Sequence, residues 1–180
     1  KTENIDAIIL QDYNKGVITQ SIIKFIQSIR KTHEIPVFVD PKKTHFKALS
    51  KSTLFKPNVK ELEAFLGQKI KIQAEYIFKK LSNSGLLKND ICVITLGSEG
   101  IFYHSEGKYG IIKGQKVLKA DVSGAGDTVL SVLTHLYLNG IDPADNIAIA
   151  NKSGAYVCEI SGISSVPLAV VNKFICELTK

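Results

Sequence analysis

Methionine and tryptophan are absent from this 180-residue sequence, cysteine occurs three times, and Arg30 is the sole arginine among 23 basic residues. Cys92, Cys158 and Cys176 are odd in number, far apart and without a C-x-x-C pair, which excludes a disulfide framework and a zinc site. His33, His45, His104 and His135 show no metal-ligand spacing either. The formal net charge is +6, but it is carried by scattered lysines. Nucleic-acid readers lean on arginine forks, so no nucleic-acid partner is expected; a few lysines can still serve phosphorylated small molecules. No apolar run approaches a membrane span. Residues 128–138 come nearest and are interrupted by Ser131, Thr134 and His135. The opening Lys1-Thr2-Glu3-Asn4 has neither the apolar region nor the cleavage site of a signal peptide, and a cytoplasmic location is the expectation. Without a methionine the sequence has no natural initiator, as expected of a processed chain or a fragment. Hydrophobic residues make up 44% and charged residues 22%, the balance of a soluble globular protein. One domain over residues 1–180 is expected at this length.

What is present is an alternation of buried strands and amphipathic helices. Asp6 to Leu10, Ile35 to Val39, residues 53–56 and Ile91 to Leu96 read as buried strands. Helices are predicted over Thr19 to Lys31, Val59 to Leu66 and Ile72 to Ser82. Gly97 to Gly100 turns the chain into a strand at Ile101 to Tyr103, and short strands follow at Tyr109 to Ile112 and Lys116 to Leu118. Helices then cover Thr128 to Leu138, 143–158 and 168–178. Strands alternating with helices imply βαβ units, hence an α/β fold with a mainly parallel sheet and helices on both faces. Ligands on such sheets bind beyond the carboxyl ends of the strands. Asp12 to Gly16, Asp40 to Lys43, Asn58 to Glu61 and Thr95 to Gly100 fall there.

Asp121-Val122-Ser123-Gly124-Ala125-Gly126-Asp127 lies between an apolar–polar run and a helix. One reading is a glycine-rich turn with Ser123 as N-cap and Asp127 favouring the helix dipole. The other is an anion hole made by the backbone N–H groups of Gly124, Ala125, Gly126 and Asp127. Asp127 is then a carboxylate beside bound phosphate, which calls for a chemical reason such as general base catalysis. Asn58 and Glu61 are equally open: a capping box, or an amide and a carboxylate holding Mg²⁺ through its waters. Thr95-Leu96-Gly97-Ser98-Glu99-Gly100 is a hairpin turn or a nucleotide loop, and Lys15 and Lys42 are loop lysines or phosphate ligands.

The heptad resembles the D-T-x-G-A-G-D signature of the ribokinase-like (PfkB) family of sugar and nucleoside kinases. Asn58 to Glu61 resembles that family's N-x-x-E motif, and Thr95 to Gly100 its T-x-G-x-x-G loop. A finer likeness runs through D-Y-x-K-G, V-D-P-K, K-P-N-x-x-E and D-V-S-G-A-G-D-T-V, which are similar to the heptose 7-phosphate kinase domain of bifunctional heptose kinase/ADP-heptose synthases. Val122 stands for the usual threonine, a change typical of that branch. The resemblance implies a ribokinase-like (Rossmann-like) fold and ATP-dependent phosphorylation of a sugar hydroxyl, C1 of a heptose 7-phosphate, on the way to the lipopolysaccharide core. It implies Asp127 as base, Gly124, Ala125 and Gly126 as the anion hole, and Mg²⁺ at Asn58 and Glu61. Thr95, Gly97, Gly100 and Asn151 would contact the nucleotide, with Lys15 and Lys42 on phosphates. Asp121 and the backbone near Gly162 would hold a monovalent cation such as K⁺. Partners would be ATP and a sugar phosphate, with no membrane and with a homodimer as a further expectation. Another sugar or nucleoside as acceptor, or a non-catalytic nucleotide-binding fragment, are the alternatives. Family members are longer: their N-terminal sugar motif and lid are missing here, so weak nucleotide binding and little turnover are expected of these residues alone.

Overall fold

The computed structural model describes residues 5–117 and 121–178. Among them a six-stranded sheet runs in the order β1 to β6. Strands β1 (Ile8–Gln11), β2 (Val37–Asp40), β3 (Leu54–Phe55) and β4 (Ile91–Thr95) are parallel, in register through Ile8 with Val37, Phe38 with Leu54 and Leu54 with Ile91. Between β5 (Gly100–Ser105) and β6 (Lys108–Lys113) only Glu106 and Gly107 intervene, both at positive φ (52° and 75°). A two-residue turn of that kind reverses the chain, so the sheet is mixed. Strands β2 to β4 carry continuous apolar runs because both of their faces are covered; Phe38, Val39, Leu54, Phe55 and Cys92 to Ile94 are fully buried. The first strand, expected to be buried, is buried only at Leu10: β1 ends the strand order, and Ile9 is 48% exposed. Burial pushes the Cys92 thiol up to about 12, which makes it an inert core residue.

The chain divides into two compact units, Lys1–Ile94 with Phe102–Gly110, and Thr95–Ile101 with Ile111–Lys180. In the first, α1 (Gln20–His33) is capped by Thr19, whose hydroxyl accepts from Ile22 N at 3.3 Å, and ends on Glu34 in the left-handed region. Phe46 of α2 (Phe46–Leu49) stacks on Phe65 of α3 (Val59–Leu66) at 5.0 Å and meets Phe55 edge-on at 5.3 Å. Helix α4 (Ala74–Ser84) buries Ile77 and Leu81. In the second unit α5 (Ala125–Leu138) packs on α6 (Pro143–Cys158), and α6 on α7 (Leu168–Leu178). Asn146 Nδ2 ties α6 to α5 by donating to Leu133 O at 2.9 Å. No described helix is long and apolar enough to cross a membrane.

Helices α3, α6 and α7 have the predicted bounds. Helix α5 begins at Ala125, not Thr128, because Gly124 at φ 80° supplies the N-cap and admits the Gly126-Asp127 turn into the helix. The strand predicted at Lys116 to Leu118 is not formed at Lys116 and Val117, which are irregular; Leu118 lies outside the described residues. The short 3₁₀ turn Lys43–His45 and α2, which follow β2 after Pro41 and Lys42, have no counterpart in the sequence reading.

Candidate functional site

In the first unit the sheet's carboxyl ends converge polar residues, as strand direction requires. Asp12, one residue past β1, is 4% exposed yet ionisable. Its Oδ1 accepts from Asn14 N at 2.7 Å, and its Oδ2 accepts from Lys42 N at 3.2 Å and meets His45 Nδ1 at 2.7 Å. Burial works to raise its pKa and is the largest single influence, but the His45, Asn14 and Lys42 hydrogen bonds together prevail and hold it below the usual aspartate range. Asp40, the last residue of β2, accepts from the Lys56 ammonium at 2.9 Å. Lys56 is only 2% exposed, and a buried amine of this kind requires such a polar partner. Burial, the dominant influence on Asp40, pushes its carboxyl upward against that attraction.

Asn58 caps α3 in a full capping box: Asn58 Oδ1 accepts from Glu61 N, and Glu61 Oε2 accepts from Asn58 N, both at 2.9 Å. The other carboxylate oxygen, Oε1, accepts from Lys42 Nζ. Asn58, Glu61 and Lys42 therefore meet, and with Asn14, Lys43, Lys60 and Ala64 they line a cavity of about 330 Å³. Lys15 is exposed and is not among the lining residues. Among the described residues no three or more His, Cys, Asp or Glu side chains are grouped so that they could hold a metal ion. A divalent ion here would have Glu61 as its carboxylate, with water completing its shell. The donor set suits Mg²⁺, which keeps most of its water, and the Lys42 ammonium already seated on Oε1 shows that this oxygen receives a cation.

In the second unit the loop 121–124 is organised by Asp121. Its Oδ1 accepts from Ser123 N at 3.0 Å and its Oδ2 from Gly162 N at 2.9 Å, while its own N–H donates to Cys158 O at 3.0 Å. Hydrogen bonds from the Ser123 hydroxyl and from the Ser123 and Gly162 N–H groups lower its pKa. Asp121 and Gly162, expected to hold a monovalent cation, are joined here by the Gly162 N–H donating to the Asp121 carboxylate. Gly124, rather than Ser123, is the N-cap of α5 and makes no side-chain cap. Gly126 and Asp127 follow in the first helical turn, and Asp127 is exposed. Gly97 at φ 66° has open space where a Cβ would lie, whereas a Cβ on Gly100 would stand 2.0 Å from Ile112 O. Asn151, on α6, donates to Lys113 O at 2.8 Å and so fastens the end of β6.

Sequence reasoning named Lys15 and Lys42 and placed Asp12 and Asp40 at the carboxyl ends of strands without giving either a role; it missed His45 and Lys56. The available signal for the two carboxylates was positional: Asp12 and Asp40 each stand at the carboxyl end of a parallel strand.

Among known proteins, the family model described as "pfkB family carbohydrate kinase" matches residues 2–169. "Bifunctional protein HldE" of Campylobacter jejuni subsp. jejuni serotype O:6 is 36% identical over 177 residues, a match covering 97% of this chain and 38% of that protein. The chain thus spans well under half the length of that relative. Arabidopsis thaliana ribokinase, solved with ribose and ATP, superposes with a TM-score of 0.79 at 22% identity, over 96% of this chain and 56% of that one. Escherichia coli phosphofructokinase-2, solved with potassium, gives 0.75 at 20% identity, over 91% and 54%. Both structures share the fold.

Proposed function

Because the chain belongs to the pfkB family of carbohydrate kinases, we propose that it serves to move the γ-phosphoryl group of ATP onto a sugar hydroxyl, C1 of a heptose 7-phosphate. The observation that carries the phosphoryl-transfer reading is the turn into α5, where Gly124 at φ 80° opens a helix whose third residue is an exposed aspartate. Asp127 takes the proton of the acceptor hydroxyl. That oxygen bonds to the γ-phosphorus as the bond to the β–γ bridging oxygen breaks, and ADP leaves with the electron pair. Backbone N–H groups of Gly124, Ala125, Gly126 and Asp127 donate to the γ-phosphoryl oxygens as charge gathers there. Thr95, Gly97, Gly100 and Asn151 form the nucleotide segment of the second unit, and Asp121 with the Gly162 backbone takes a monovalent cation. In the first unit Lys15 and Lys42 meet phosphate, and Asn58 and Glu61 hold Mg²⁺ through water. Bound there, the ion supplies neutralisation of phosphate charge. The acceptor rests on the D-Y-x-K-G and V-D-P-K segments and on the 36% identity to HldE.

The test measures ADP release with heptose 7-phosphate, ribose, fructose 6-phosphate and a nucleoside as acceptors. Heptose 7-phosphate is expected to give the highest kcat/KM. Replacement of the base, Asp127→Asn, is expected to lower kcat by about 10²- to 10⁴-fold with the KM for ATP within about threefold. An unchanged kcat removes Asp127 from its role, and a faster second acceptor removes the heptose.

A further inference from the structure

The Lys42–Glu61 contact presents a conflict that the proposed chemistry must resolve: an ammonium on Glu61 Oε1 and a divalent ion held at the same carboxylate, even through water, repel each other strongly. We propose that Lys42 is the resident counter-ion of Glu61, releasing that carboxylate when a divalent cation arrives and turning its ammonium to the phosphate groups in the same cavity. This rests on the reading of Glu61 as the carboxylate that holds the ion.

Three observations assign the movement to Lys42. Glu61 is fixed: it sits in the first turn of α3, its Oε2 and its own N–H are both bound to Asn58, and its side chain is 12% exposed. The Lys42 backbone is fixed as well, since its N–H donates to Asp12 Oδ2, and Pro41 before it is buried. Its side chain is not: it is 37% exposed, lines the cavity wall, and has its ammonium held at the tip by Glu61. The third observation is the cavity lining. Lys42, Lys43 and Lys60 contribute three positive charges against the single carboxylate of Glu61, with Asn14 and Asn58 as neutral polar groups. Once a cation occupies Glu61, the three ammonium groups repel one another, and an anion is the group that relieves them. Phosphate oxygens fit that requirement and accept point-charge donors well.

The experiment reads the Lys42 amine in the wild-type protein. Its acylation rate is followed by peptide mass spectrometry with a chelator, with Mg²⁺, and with Mg²⁺ plus a non-hydrolysable ATP analogue. Pairing with a carboxylate protects an amine, so labelling is expected to be slow with the chelator, severalfold faster with Mg²⁺, and slow again with the analogue. Equal rates with chelator and with Mg²⁺ overturn the proposal. In a second measurement Mn²⁺ binding is titrated calorimetrically without nucleotide. Lys42→Met, which removes the competitor, is expected to tighten it by roughly three- to tenfold. Unchanged or weaker binding, or no Mn²⁺ binding to the wild type, also overturns it. Sugar-dependent ADP release is assayed on the same preparation. Its presence with metal-insensitive labelling defeats this inference alone, and its absence with every acceptor defeats the functional reading instead.

Discussion

Asp12 takes three donors on two oxygens, and those donors come from the two loops that border the first unit's cavity. Replacing it with asparagine preserves shape but turns one acceptor oxygen into a donor facing N–H groups. Asp12→Asn is therefore expected to lower stability by about 1–3 kcal/mol, read by urea denaturation at neutral pH. The pH dependence has a definite sign. The folded-state pKa of Asp12 is depressed, so its contribution is complete above the ordinary aspartate value, about 3.9, and disappears as pH falls through the lower folded value. The gap between wild type and variant is expected to be widest near neutrality and to close as pH falls below the ordinary aspartate value. A gap that stays constant through that fall would mean that shape, not charge, carries the effect. None of these bonds was legible in the sequence. Asp12 and His45 are 33 residues apart, Lys42 and Glu61 are 19 apart, and neither pair belongs to a helical or strand period. Side-chain pairing across parallel strands depends on register, which only the folded sheet supplies.

At the scale of elements, legibility followed the strength of local signals. Helix α3 was bounded by Asn58 as N-cap and Gly67 as left-handed C-cap, both visible as residue types, and the same Asn58–Glu61 spacing was open to a metal reading. The structure has the capping box and the Lys42 contact on one carboxylate, so the two readings share the residue. Helix α2 gave too little to read: four residues with Phe46 and Leu49 as its buried positions do not establish a period. The loop from Gly97 to Gly100 shows how two glycines in one motif differ physically. Gly100 at φ 101° brings its Cα against the β6 end, where an added Cβ would lie 2.0 Å from Ile112 O and 2.4 Å from Gly114 N. Gly97 at φ 66° faces open space. Gly100→Ala is expected to cost more than about 3 kcal/mol, enough to prevent accumulation of folded protein. Gly97→Ala is expected to cost about 1–2 kcal/mol, from the left-handed backbone alone, and to leave a folded protein. ATP binding to that folded variant, measured by calorimetry, tests whether the open side of Gly97 is where nucleotide lies; an unchanged affinity would assign both glycines to backbone shape only.

For the whole molecule, the ribokinase-like parallel arrangement was legible because β1 to β4 are short apolar runs between helices, and the likeness to solved ribokinase-fold structures bears that out. What composition adds is the field in which substrates arrive. A net charge of +6, with lysine as nearly all of the positive side, attracts phosphorylated ligands over distances that salt controls. The Debye length falls from about 10 Å at 0.1 M to about 3 Å at 1 M, so added salt screens the general field while leaving short contacts in the cavity largely intact. If heptose 7-phosphate is the acceptor, its kcat/KM at saturating ATP is expected to fall severalfold as NaCl rises from about 0.05 M to about 0.5 M, mainly through KM. The same series with the unphosphorylated heptose is expected to be nearly flat, because that sugar has no charge to screen. Lys43→Ala, at an exposed residue of the cavity wall, should make the phosphorylated series flatter, whereas the same change at Lys79 on α4 should not. Parallel salt dependence for the two sugars would show that the phosphate is not what the lysines recognise, and would move the acceptor assignment away from a sugar phosphate.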